Sequence, residues 1–387
     1  MSASATGATP DHAGSAPIAS NLDRYLDAAS GLPMSAATQE ALNAGWNLGW
    51  ADASRRYQSA AQSRRLLDSA RNSVAHRLGI SAAGIFFLPD FGVAFELALS
   101  GFTDHQVAVS TVEDAALLRE VDRHSHQGAR VQTLDVSPSG HIDWKTAAAL
   151  TELGPTAFVV QDVNLEIGCR QPLESLAQAA GKDAALIVDA RATLGRDQVT
   201  ADWDVLLSDP RIWGGPPGCA LLAVRAPDKF TAPRTSVGGF GGLEPASPPV
   251  PLVAACALAL EAAEAQESDT AAVSTYLRTE VLQRIDACEV VGEPDSSFIT
   301  MFSFLYVAAD ELIDELAQLG WSCASGASCT SDTRRPHHVL TEVGASSHGS
   351  LRISLPPGFP HVQAEAFAAD LTAVVMKLRR EAGAPSA

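Results

Sequence analysis

Lysine is scarce in this chain: four in 387 residues, at Lys145, Lys182, Lys229 and Lys377. Lys145 and Lys377 fall in predicted helices, Lys182 in a helix-to-strand connection, and Lys229 just after a strand. Basic residues together number 27 against 45 acidic ones, a formal charge of −18. That balance excludes nucleic acid and an anionic membrane surface as main partners, because both require a basic face. It favours solubility and leaves room for a basic protein partner. No apolar run approaches the ~20 residues of a membrane span. The N-terminus also lacks a charged-then-apolar signal pattern, which predicts a cytoplasmic location. The six cysteines (Cys169, Cys219, Cys256, Cys288, Cys323, Cys329) are scattered with no Cys-x-x-Cys pair. A disulfide framework is therefore not expected, and free thiols in a reducing compartment fit better.

Hydrophobic residues at 46% and charged residues at 19% are those of an ordinary soluble globular protein. Residues 1–20 are Ala, Ser, Gly, Pro and Thr with almost no bulky apolar side chain, and together with 381–387 they read as disordered tails. Between them, Arg56–Gly79 carries an apolar stripe at Leu67, Ala70, Val74 and Leu78 with the spacing of one helical face. Short β-rich runs follow at 107–110, 131–136, 157–163, 185–190, 205–208 and 219–225, most of them separated by helix-compatible stretches. Apolar strands interleaved with amphipathic helices predict an α/β fold with a mostly parallel sheet covered on both faces. Ligands of such sheets bind at the carboxyl ends of the strands. A Gly/Pro-rich loop over 235–251 precedes a second α+β unit, giving expected domains of 21–250 and 251–380.

Several residues could carry chemistry. Asp189 ends the strand ALIVDA, where a carboxylate can meet a ligand; taken alone, it reads better as the cap of a strand-to-turn junction paired with Arg191. The segment Val163–Pro172 (VNLEIGCRQP) is distinctive but could be only a strand-to-helix turn. Cys329 lies among small residues in Gly326–Ser331, which suits a mobile loop, and Arg334 and Arg335 could lower its pKa; an idle surface thiol is the plainer reading. A metal site from Cys323, Cys329, His337 and His338 is weaker, because no zinc ligand spacing is present. Arg352 in SLRISL reads as an edge-strand charge.

From Tyr25-Leu26-Asp27 through Arg352 the order and spacing of these segments resemble the class V aminotransferase group, and within it the cysteine desulfurases. The resemblance implies the fold-type I pyridoxal phosphate (PLP) transferase architecture, with an N-terminal segment touching the smaller domain. It implies PLP as cofactor, with Asn164 on the ring hydroxyl, Asp189 on the pyridine nitrogen and Ser208 on the phosphate. It makes Arg352 the grip on a substrate carboxylate, and it places Cys329 on the nucleophile that carries sulfur as a persulfide. It also implies a dimer, either with itself or with a related subunit, and a sulfur-acceptor protein.

Against that pattern the departures cluster at the cofactor. The family's lysine corresponds to Arg211 and the preceding histidine to Pro210. A guanidinium stays protonated and cannot form an imine. The ring-stacking histidine corresponds to Asp114, the Gln after the pyridine-binding Asp to Ala192, and the phosphate turn Ser-Gly-Ala-Thr to Pro89-Asp90-Phe91-Gly92, which leaves Gly92 in the cradle beside a carboxylate and a bulky ring. Covalent PLP is therefore not expected, and the cofactor can be absent altogether. The expected function is a cysteine desulfurase-like role in sulfur metabolism with ordinary lysine–PLP catalysis lost. The alternatives are an inactive partner or regulator of a related subunit, and PLP-independent chemistry in a remodelled pocket, with Phe91, Asp114 and Arg211 compatible with an anionic ligand on Arg211.

Overall fold

The computed structural model describes residues 22–227, 230, 248–266, 269–325 and 337–384. Cys329, Arg334, Arg335 and most of the Gly/Pro-rich loop fall outside them, as do residues 1–20 and the last three of the chain. Two helices open the described chain, α1 (Ala36–Leu48) and α2 (Gln58–Leu78). The predicted stripe of α2 is the buried face: Leu67, Ala70 and Val74 point into the core, and Gly79 ends the helix in the left-handed conformation a glycine adopts without cost.

Seven strands then build the main sheet: β1 (Ile85–Leu88), β2 (Gln106–Ser110), β3 (Val131–Leu134), β4 (Thr156–Gln161), β5 (Ala185–Asp189), β6 (Val205–Ser208) and β7 (Ala220–Val224). Their order is β1-β7-β6-β5-β4-β2-β3. Strands β6, β5, β4, β2 and β3 run parallel, while β7 is antiparallel to both its neighbours. All but β3 are buried at every position, as continuous apolar runs covered on two faces must be. The predicted architecture is the observed one. Strand β1 was not among the expected strands: four apolar residues carry too little periodicity to distinguish strand from helix.

Helices α3 (Phe91–Ser100), α4 (Ala115–His126), α5 (Ala147–Glu152) and α6 (Leu173–Ala180) connect the early strands. Helix α7 (Val250–Glu264) packs against α1 and α2. Its Val253, Cys256 and Leu260 join the apolar cluster beneath the main sheet.

The C-terminal region holds a three-stranded antiparallel sheet, β8 (Cys288–Val290), β9 (Ile299–Phe304) and β10 (Ser350–Ser354), in the order β10-β9-β8. It is covered by α8 (Thr270–Arg284), α9 (Ala309–Gln318) and α11 (His361–Glu381), with the short α10 (His338–Glu342) leading towards β10. The chain start is stitched to this unit: Tyr25 bridges to Ser322 and Asp27 to Ser354, and Leu26 is wholly buried in the same apolar cluster. Among the described residues no helix is long and apolar enough to cross a membrane.

Candidate active site

The turns after five strands open at the carboxyl edge of the main sheet, and every predicted cofactor-site residue lies there. After β1, Asp90 caps α3, its Oδ1 accepting from the Val93 N–H at 2.9 Å, with Gly92 exposed in the same turn. After β2, Asp114 caps α4 by accepting from the Ala116 N–H at 2.7 Å. After β4 comes Asn164, after β5 Asp189 and Arg191, and after β6 Ser208, Asp209 and Arg211.

Arg191 is the centre of this edge. Its Nε and Nη2 grip both oxygens of the buried Asp189 carboxylate at 2.7–3.1 Å. Its Nη2 also reaches Asp114 at 3.2 Å, and its guanidinium carbon lies 3.9 Å from the centre of the Phe91 ring. Burial works against the charge on Arg191, but Asp189 and Asp114 outweigh it and push its pKa above the ordinary arginine range. For Asp114, burial pushes the carboxyl up, yet Arg191 and the helix N–H groups hold it below its usual value. A planar cation stacked on an aromatic face and clamped between two carboxylates is satisfied on every side.

Arg211 repeats this geometry one strand over. It clamps Asp209 through Nε and Nη2 at 2.6–3.2 Å, with Asp209 nearly buried and the Arg211 side chain 54% exposed. The shared Asp-x-Arg pattern after β5 and β6 is a sequence signal for both pairs, because a strand-ending Asp accepts from the N–H two residues on and the Arg side chain folds back over it.

The other predicted contacts are also engaged. The Asn164 amide donates to the Val112 carbonyl at 2.9 Å and accepts from the N–H groups of Glu166 and Ile167, each at 2.9 Å. Ser208 Oγ donates to the Ala190 carbonyl at 3.4 Å. Arg352 is buried, its Nη2 on Asp27 at 2.9 Å and its Nη1 on Glu166 at 3.1 Å. Of the predicted set, Asp114, Asp189, Ser208 and Arg211 share one edge with Gly92, and Arg352 on β10 meets Glu166, two residues after Asn164. The geometry of Cys329 lies outside the described residues.

These residues do not fit a pyridine cofactor as they stand. The carboxylate that would meet the ring nitrogen has both oxygens on Arg191, the Val93 amide at the start of α3 is capped by Asp90, and Phe91 packs on the guanidinium. Among the described residues no lysine offers an imine partner at this edge: Lys377 pairs with Glu315, Lys145 stacks on Trp144, and Lys182 lies beyond α6.

Beside Asp114 is a cavity of about 220 Å³ that sequence reasoning missed, lined by Glu113, Asn164, Glu166, His337 and His338 among others. Burial pushes the Glu113 carboxyl well up, against the N–H of Gln161 donated to it at 3.1 Å. Burial also raises Glu166, offset in part by Arg352. His337 is depressed to about 4, first by burial and then by His338 and Arg352. Glu166 Oε2 and His337 Nδ1 are buried without a hydrogen-bond partner. No spacing motif announces these groups; only the folding of β2, β4 and the segment before α10 onto one cavity brings them together.

The model of the Aminotransferase class-V family matches residues 24–358. The chain is 30% identical over 313 residues to "Cysteine desulfurase 2" of Trichormus variabilis, covering 75% of this chain and 77% of that protein. It is 24% identical over 348 residues to "Cysteine desulfurase IscS 1" of Archaeoglobus fulgidus, covering 86% and 91%. The solved structure of a "NIFS-LIKE PROTEIN" superposes with a TM-score of 0.81 at 18% identity, covering 91% of this chain and 99% of that one, a likeness of fold.

Proposed function

This chain belongs to the class V aminotransferase family, whose coenzyme is pyridoxal phosphate, and from that premise we propose that it is a desulfurase-like protein of sulfur metabolism whose lysine–PLP catalysis has been lost. Its relatives named cysteine desulfurases support the sulfur assignment. One observation carries the loss: Arg191, stacked on Phe91 and bound to Asp189 and Asp114, takes up the groups that would otherwise serve the coenzyme. Arg211, at the position matched to the family's lysine, supports the same reading, since it cannot condense with an aldehyde.

The remaining activity is a relay on Cys329, a proposal resting on the sequence of its loop. The Cys329 thiolate attacks the terminal sulfur of a donor persulfide. A new S–S bond forms as the donor's breaks, the donor leaves as its thiolate, and no external oxidant is consumed. The chain would act as a homodimer or with a related subunit, and would hand sulfur to an acceptor protein.

The test is direct. Purified protein mixed with PLP stays colourless, gives no adduct after borohydride and releases no sulfide from cysteine, while mass spectrometry finds one extra sulfur on Cys329 after exposure to a persulfide donor. A borohydride-fixed adduct overturns the catalytic loss; an unmodified Cys329 overturns the relay.

A second reading, PLP-independent acid–base chemistry, is favoured by the cavity lined by Glu113 and Glu166, since buried carboxyls with raised proton affinity in a cavity mark candidate sites of such chemistry. Trapping a small-molecule ligand that protects His337 from modification would favour it over the relay.

A further inference from the structure

Away from that edge, three donor groups from three separate segments converge at the seam between the two sheets. His141 comes from the turn that follows β3, Cys169 from the segment after β4, and Asp295 from the connection between β8 and β9. Nε2 of His141 lies 3.1 Å from Oδ2 of Asp295, and the donor atoms of all three residues lie within 4.8 Å of one another. A tetrahedral zinc with bonds of about 2.0–2.3 Å sets its nitrogen, oxygen and sulfur ligands about 3.3–3.6 Å apart. The three donors therefore need to close by at most about 1.5 Å. The other ring nitrogen, Nδ1 of His141, is held by Ser139 Oγ at 2.8 Å. Metal-bound imidazoles are usually anchored through the second nitrogen in this way, which fixes the nitrogen that faces the metal.

A plain His–Asp ion pair accounts for two of these groups. The apolar cluster of Val112, Ile167 and Met301 accounts for the burial of Cys169, but not for its sulfur lying within 4.8 Å of both donors. We propose that His141, Cys169 and Asp295 form a binding site for a thiophilic divalent cation of the zinc class, with water completing the shell. Asp295 and His141 are partly exposed, 43% and 28%, and give the ion a route in from solvent; the buried Cys169 is the inner wall. As the metal–sulfur bond forms, the thiol proton passes to solvent and a water leaves the ion, with no change of oxidation state. One thiolate and one carboxylate then neutralise the ion. Since Asp295 belongs to the unit of the second sheet and the other two ligands to the first, the ion would clamp one unit to the other. The inference is independent of the sulfur reading above.

The experiment uses the full chain freed of metal with a chelator. Cobalt(II) is added as the optical stand-in and zinc(II) as its competitor. The expected result is one equivalent of cobalt with an intense near-ultraviolet sulfur-to-metal band, displaced by zinc. Cys169→Ser should lose that band, and Asp295→Asn, at an exposed position that leaves the core intact, should weaken zinc binding at least tenfold. Zinc should raise the melting midpoint of the parent by a few degrees and leave that of Asp295→Asn unmoved. Absence of the band at one equivalent, its survival in Cys169→Ser, or unchanged zinc affinity in Asp295→Asn overturns the proposal.

Discussion

At the scale of single residues, the candidate site is governed by one question: which cation satisfies Asp189. In this chain the answer is covalently part of the polypeptide. Arg191 alone cannot be removed without cost, because two carboxylates would be left close together and unpaired, a change worth about 3–5 kcal/mol when a buried partner is lost. The double variant Arg191→Ala/Arg211→Lys gives Asp189 a vacancy and supplies an amine at the matched position. It is expected to bind added PLP and turn yellow, with the adduct fixed by borohydride; a colourless double variant would mean that Phe91 and Asp90 also bar the coenzyme. His337 offers a second test. Its folded pKa of about 4 lies below the ordinary 6.5, so its stability contribution is complete above 6.5 and is lost as pH falls through 4. Between pH 7 and 4, His337→Asn should gain on the parent by about 3 kcal/mol, read from urea midpoints. Glu113 and Glu166 have the opposite sign, raised and therefore stabilising only in acid; the Glu113 contribution is common to both chains, whereas that of Glu166, 3.8 Å from His337, is separated by repeating the comparison in Glu166→Gln.

At the scale of elements, much was legible. The stripe of α2, the strands β2 to β7 and the small α+β unit follow from periodicity and from continuous apolar runs, because burial on one or two faces imposes those patterns. Strand β1 was too short to read. The Asp189–Arg191 pair was visible as the plainer interpretation of a strand-ending carboxylate. Its contacts with Asp114 and Phe91 were not, since nothing in the spacing of residues 91, 114 and 191 says that β1, β2 and β5 end at one edge. The cavity around Glu113 and Glu166 was hidden for the same reason. One turn in this edge is under tight constraint. Gly168 has φ of +72°, and a Cβ there would sit 2.5 Å from the Ile299 carbonyl oxygen. Gly168→Ala is expected to cost at least about 2 kcal/mol, from the left-handed backbone and the overlap together. A midpoint shift under about half that in chemical denaturation would show that β9 can yield. Helix α7 packs against α1 and α2, and its Val253, Cys256 and Leu260 join the apolar cluster beneath the main sheet.

At the scale of the molecule, the formal charge of −18 sets a background of self-repulsion. Raising ionic strength from 10 mM to 1 M shortens the screening length from ~30 to ~3 Å. Exposed pairs such as Arg123 with Glu96 contribute little that salt could remove. The melting midpoint is therefore expected to rise with sodium chloride, and a fall would mean that attraction outweighs the excess of acids. The bridges from Tyr25 and Asp27 to Ser322 and Ser354 have a further result for how the protein is born. Roughly 300 residues separate each partner from the other, so at about 5–20 residues per second the opening segment leaves the ribosome some 15–60 seconds before the strand that receives it exists. Leu26, destined to be wholly buried, must wait in water through that interval, so a segment made early is among the last to find its packing partners.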